Sequence, residues 1–156
     1  MSQDFLSQVD SLLLASPDFA AVAPTILAAA LTHFASETGA IHRLDPGQPL
    51  LHLVAHAGLP PQLLAVVQTI PVGKGIAGQT LAQRRPVSIC NLQTDTSGVA
   101  RPAARQTGVG GAICVPIWVG QNIVGTFGLG TRRDCEYSPA QVHLLEEVAR
   151  RLGTRF

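Results

Sequence analysis

Apolar residues recur at helical spacing near the start of the chain, at Phe5, Val9, Leu12 and Leu13, and the run breaks at Ser16-Pro17. There serine can cap and proline can open a second helix, which carries Phe19, Ile26, Leu27, Leu31 and Phe34. Pro24 is expected to kink or restart that helix, and Gly39 to end it in a conformation that favours glycine. The pattern then changes. AIHRL and LLHLVAHA, joined by the turn-forming string DPGQP, predict an antiparallel hairpin. The segment GLPPQLLAVVQ reads as a loop. After a short strand, VSIC, comes a polar, glycine-rich passage from Asn91 to Gly111, then a second hairpin, AICVPIWVGQNIVGTFGLG, turning at Gly120-Gln121-Asn122. The last helix opens at Ser138-Pro139-Ala140-Gln141, a capping box with proline at the first helical position, and continues through Val142, Leu145, Val148 and Leu152.

Between the hairpins, IPVGKGIAGQTLAQRRP places Gly73, Gly75 and Gly78 in the spacing G-x-G-x-x-G, with Lys74 inside it and Asp95 at the distance of a ribose-binding acid. A dinucleotide site needs a crossover helix leading to a parallel strand. Only about eight residues, from Ala77 to Arg84, are available before Pro86, and an antiparallel hairpin follows, so the context is missing. The glycines are read instead as a tight turn, with Gly78 allowing a short helix to pack closely.

Composition narrows the picture. The chain has 156 residues, 46% hydrophobic and 13% charged, enough for one well-buried core. A net charge of +1 with scattered arginines excludes the basic stripe of a nucleic-acid binder. No apolar run approaches the roughly 18 residues of a membrane span and the N-terminus carries no basic leader, so the expected compartment is the cytoplasm. Cys90, Cys114 and Cys135 form no CxxC pair, which fits reduced, small buried thiols.

The stretch IPVGKGIAGQTLAQRRPVSICNLQTD, followed by AICVPIWVGQNIVGTFGLG and SPAQVHLLEEVARRL, resembles the GAF domain family from about Phe19 to Leu152. The resemblance implies an α+β fold, related to PAS domains: a central antiparallel sheet of five or six strands, terminal helices on one face, and loops and short helices roofing a pocket on the other. It also implies regulatory binding of a small molecule and a downstream signalling domain or protein as partner. The length predicts one domain over residues 1–156, with a core from 16 and an N-terminal helix over residues 1–15. That helix offers Phe5, Leu6, Val9, Leu12 and Leu13, more apolar surface than one contact with its own sheet requires, so it is expected to be a dimerisation element in a homodimer joined through terminal helices.

The residues of the second hairpin support a pocket on their own account. Ile113, Val115, Ile117, Ile123, Phe127 and Leu129 share one parity and are bulky, whereas Ala112, Cys114, Thr126, Gly128 and Gly130 share the other and are small. Either the small face leaves a cavity under the Asn91–Gly111 passage or that passage lies flat on it. His42 and His52 are expected to sit opposite each other if the DPGQP turn is symmetric about Gly47, and the resemblance puts His42 in the pocket. A third ligand for a metal or haem is not identifiable from spacing. Arg101 and Arg105 could grip an anion or pair with Asp95. Trp118 caps the pocket mouth or covers the sheet end. The candidate ligand-binding set is therefore His42, His52, Asp95, Arg101, Arg105, Ala112, Cys114, Trp118, Thr126 and Gly128.

Catalysis is not expected. The enzymes of the family, free methionine-(R)-sulfoxide reductases, carry an attacking cysteine where this chain has Arg101, a glutamate where it has Ala112, and aspartates where it has Gly128 and Gly130. The motifs of the cyclic-nucleotide and bilin binders are also missing, so no cofactor is named. A thiol enzyme and a ligand-free dimerisation module are the alternatives to a sensory domain.

Overall fold

Phe5, Leu6, Val9 and Leu13 occupy one side of helix α1 (Ser2–Leu14), and that side is buried. The structure, a computed structural model, describes residues 2–94, 97, 108–134 and 137–156. Helix α2 (Phe19–His33) runs through Pro24 as one element. Its N-cap is Asp18 rather than Ser16: the Asp18 carboxylate accepts from Ala20 N at 3.1 Å, while Ser16 Oγ accepts from Asp18 N. Nor does Gly39 end it. The chain reverses at Ala35, at φ +50°, with Ser36 N donating to Leu31 O, the signature of a left-handed cap. Gly39 lies in a strand, where an added Cβ would come within 2.7 Å of Leu27 Cδ1.

The strands are β1 (Thr38–Leu44), β2 (Leu50–Ala57), β3 (Thr69–Pro71), β4 (Val87–Ile89), β5 (Gly111–Val119) and β6 (Asn122–Thr131). They form one antiparallel sheet in the order β3-β2-β1-β6-β5-β4. Between β2 and β3 a single 3₁₀ turn (Pro61–Leu63) leads into α3 (Leu64–Val67), where the sequence reads as a loop. Helix α4 (Gly75–Gln83) follows the glycine turn, in which Gly73 and Gly75 take φ of +87° and +68°. Helix α5 (Pro139–Gly153) begins with the expected capping box, Ser138 and Gln141 bonding reciprocally.

The bulky parity of the second hairpin packs against the terminal helices, as expected. Ile113, Val115, Ile117, Phe127 and Leu129 join Ile41 and the apolar sides of α1, α2 and α5 in one core. Ile123 is the exception. A bulge leaves Ile117 opposite Gly125 but Trp118 opposite Ile123, so Val124 is the extra residue and parity inverts beyond it. Ile123 therefore faces the other layer, with Leu51, Ile70 and Leu81. The apolar surplus expected of α1 is likewise absent: the chain's own α2 and α5 cover its buried side, leaving Leu14 as the exposed leucine.

Two substitutions read out this packing. Phe127→Ala, in the fully buried core, should cost about 3–5 kcal/mol in chemical denaturation. Gly78→Ala should also destabilise, by about 1–3 kcal/mol, although alanine is the better helix former. An added Cβ there would lie 2.5 Å from the Pro71 carbonyl oxygen, a backbone atom that cannot step aside.

Candidate functional site

On the face of the sheet away from α1, α2 and α5, the small parity leaves a cavity of about 190 Å³. Its floor is Ala40 and His42 on β1, Ala112 and Cys114 on β5, and Thr126 and Gly128 on β6. Leu59, Leu63, Val66 and Val67 form a wall from the 3₁₀–α3 segment, and Gly75, Ile76 and Ala77 another from the start of α4. Leu92 and Val109 border it where the Asn91–Gly111 passage leaves and rejoins the sheet. Gly128 is open to this space. A Cβ built there meets Cys114 Sγ at an ordinary 3.6 Å, whereas one on Gly130 would come within 2.5 Å of Thr38 Oγ1.

The wall from α3 is not legible in the sequence, because a segment of four helical residues has too short a period to detect. Its one signal is the apolar run LLAVV shortly after Pro60-Pro61.

His42 is the one imidazole in the cavity, and it is 3% exposed. Its Nε2 lies 2.8 Å from the Val67 carbonyl oxygen, which can only accept, so Nε2 carries the proton. Burial lowers its pKa, against the opposing effect of the Val67 hydrogen bond, and favours the neutral ring. Nδ1 is thereby left as an acceptor. Thr126 is the direct cross-strand partner of His42. Its Oγ1 is buried without a hydrogen-bond partner.

The Cys114 thiol is fully buried beside them. Burial pushes its pKa up to about 11, against the polar groups of Thr80, Thr126 and the Phe127 backbone nearby, whose influence would favour a thiolate. At neutral pH the thiol keeps its proton. The Thr80 hydroxyl, which donates to Ile76 O within α4 at 2.8 Å, also lies 3.4 Å from the Cys114 carbonyl oxygen and so ties α4 down over this strand.

Five of the ten candidate residues thus line one cavity: His42, Ala112, Cys114, Thr126 and Gly128. His52 does not. The turn is not symmetric about Gly47: Leu44 pairs with Leu51 and Arg43 with His52, so His42 stands opposite Leu53 and the two imidazoles are not partners. His52 Nε2 instead lies 2.9 Å from Asp45 Oδ2, in the turn. Trp118 is also outside the cavity, covering the sheet end against Ile123 and Leu81, with the Arg84 guanidinium 5.0 Å above its ring. Asp95, Arg101 and Arg105 lie outside the described residues. The expectation of three reduced thiols is corrected at Cys90, which is disulfide-bonded, a state that the absence of a CxxC spacing does not exclude. Cysteine state therefore gives no argument for a reducing compartment. No cluster among the described residues could hold a metal ion, and no described helix is long and apolar enough to cross a membrane.

A sequence search finds no match among curated proteins. The fold is shared with solved structures at low identity. Free methionine-R-sulfoxide reductase from Neisseria meningitidis, in complex with its substrate, superimposes with a TM-score of 0.84 at 19% identity, over 99% of this chain and 87% of that one. The GAF domain of a phosphoenolpyruvate-protein phosphotransferase from Coxiella burnetii gives a TM-score of 0.86 at 14% identity, over 99% and 91%. Its counterpart from Acinetobacter gives 0.83 at 15%, over 99% and 92%. The family model described as GAF domain matches residues 16–154. Spanning nearly the whole chain, that match shows that this protein belongs to the GAF domain family.

Proposed function

We propose that this GAF domain is a non-catalytic sensory module, which binds a small, mainly apolar molecule between the sheet and the α3–α4 layer and signals through its terminal helices. The observation that carries this reading is the cavity itself, on a face whose residues are too small to fill it. A void of this size forfeits packing unless something occupies it.

The alternative is sulfoxide reduction, as performed by the Neisseria relative. It needs a reactive thiol and groups to hold a charged amino acid. The described lining contains no aspartate, glutamate, lysine or arginine, and its one cysteine holds a proton at neutral pH. The described lining thus favours binding over thiol chemistry.

Transmission follows from the sheet having two faces. Thr126 and Gly128 touch the cavity while Phe127, between them, packs against the helical core, so a change in the floor is felt behind it. The helices there are joined to each other: Arg151 pairs with Asp10 at 2.9 Å, and the Arg155 guanidinium donates to the Leu13 and Ser16 carbonyls. A homodimer through these helices and an attached signalling partner belong to the same reading, with Leu14 the apolar handle left on α1.

Gly128→Leu should fill the cavity and abolish any ligand-induced thermal shift in a screen of small apolar compounds. Stability should change little, or fall by the roughly 1–3 kcal/mol of mild overpacking. A loss as large as that of Phe127→Ala would mean there is no room above residue 128. Cys114 should resist iodoacetamide at pH 8 in the folded protein and react once urea exposes it, as followed by peptide mass spectrometry. Incubation with free methionine sulfoxide and a thiol reductant should give no turnover.

A further inference from the structure

If the cavity is a ligand site, the sensory reading on which this inference rests, then its polar atoms specify the occupant. We infer that the ligand is a compact, uncharged ring compound bearing one hydroxyl group, which bridges Thr126 Oγ1 and His42 Nδ1. Antiparallel pairing of His42 with Thr126 puts both side chains on the cavity face of neighbouring strands, where the Cβ atoms of such a pair stand roughly 4.5–5.5 Å apart. The Thr126 hydroxyl is fully buried yet makes no hydrogen bond, and a buried polar group left unpaired is destabilising. His42 already donates through Nε2 to Val67, so only its Nδ1 lone pair remains on offer. One atom that both accepts and donates completes the pair, taking a hydrogen bond from Thr126 and giving one to Nδ1. A hydroxyl does this; a ketone, ether or carboxylate does not.

The rest of the described lining sets the body of the ligand. It is aliphatic, from Leu63, Val66, Ile70, Ile76 and Leu92 among others, and carries no charged side chain. An ionised ligand would lose its hydration there without compensation. The volume of about 190 Å³ exceeds the roughly 150 Å³ at which a dry apolar cavity accepts benzene. A monocyclic phenol meets all three conditions.

The test is titration calorimetry of the intact protein at pH 7 with phenol, toluene and benzoate. Phenol should bind about five- to tenfold more tightly than toluene, the worth of a hydrogen bond, and benzoate should not saturate. Thr126→Val should bring phenol down to the toluene value and leave toluene unchanged, while Thr126→Ser, which keeps the hydroxyl, should retain the preference. Toluene binding as tightly as phenol would overturn the hydroxyl assignment and leave the apolar binding site standing. Tighter binding of benzoate than of phenol would overturn the uncharged assignment. Failure of all three to bind would remove both the assignment and the sensory reading beneath it.

Discussion

Phe127 and Gly128 are neighbours on one strand with side chains on opposite faces, and the difference in their volumes governs how each face packs. Behind the sheet, Phe127 and the other bulky residues of β5 and β6 interdigitate with α1, α2 and α5 and exclude water completely. In front, the same strands offer alanine, cysteine, threonine and glycine, which cannot reach the layer above. A roof therefore has to stand off from most of the floor, held at its edges and, at one point, by a hydrogen bond from His42.

Those edges are two small apolar clusters. Leu51, Ile70, Leu81 and Ile123 pack at one end, beneath α4, and Ile89, Leu92, Val109 and Ala112 at the other. The first exists because of the bulge at Val124. With regular pairing Ile123 would point into the helical core, and Trp118 would have no isoleucine beside it. Arg84 completes that end, accepting the left-handed φ of +57° at the close of α4 and donating to Gln121 O at 2.9 Å from above Trp118.

His42 links floor to roof at the centre. Its bond to Val67 ties the end of α3 to β1, beside the partly buried Leu64, Val66 and Val67. The bond also fixes the tautomer, and with it the polarity that the ring turns toward an occupant.

Local chemistry is enough for much of the architecture. The capping box at Ser138, the glycine turn at Gly73–Gly78, the two hairpins and the two-parity reading of β5–β6 each rest on residues close in sequence. The resemblance to the GAF domain adds the order of the layers and the placing of His42 in the pocket, while Ala112, Cys114, Thr126 and Gly128 gather onto one face by period-two alternation alone. What escapes is set by pairing between distant segments. A bulge is a mismatch between two strands and leaves no mark on either, so regular alternation sets Ile123 in the core, where it does not lie. A turn taken as centred on Gly47 sets His52 opposite His42, whereas Leu44 pairs with Leu51 and the register follows from there. The cap at Ala35 and the role of Gly39 depend on where Leu27 lies. The sequence determined which residues are small and which are large; only the tertiary structure decided that an α3 wall would stand over the small ones and leave space, because enclosure is a property of separate segments and not of any one of them.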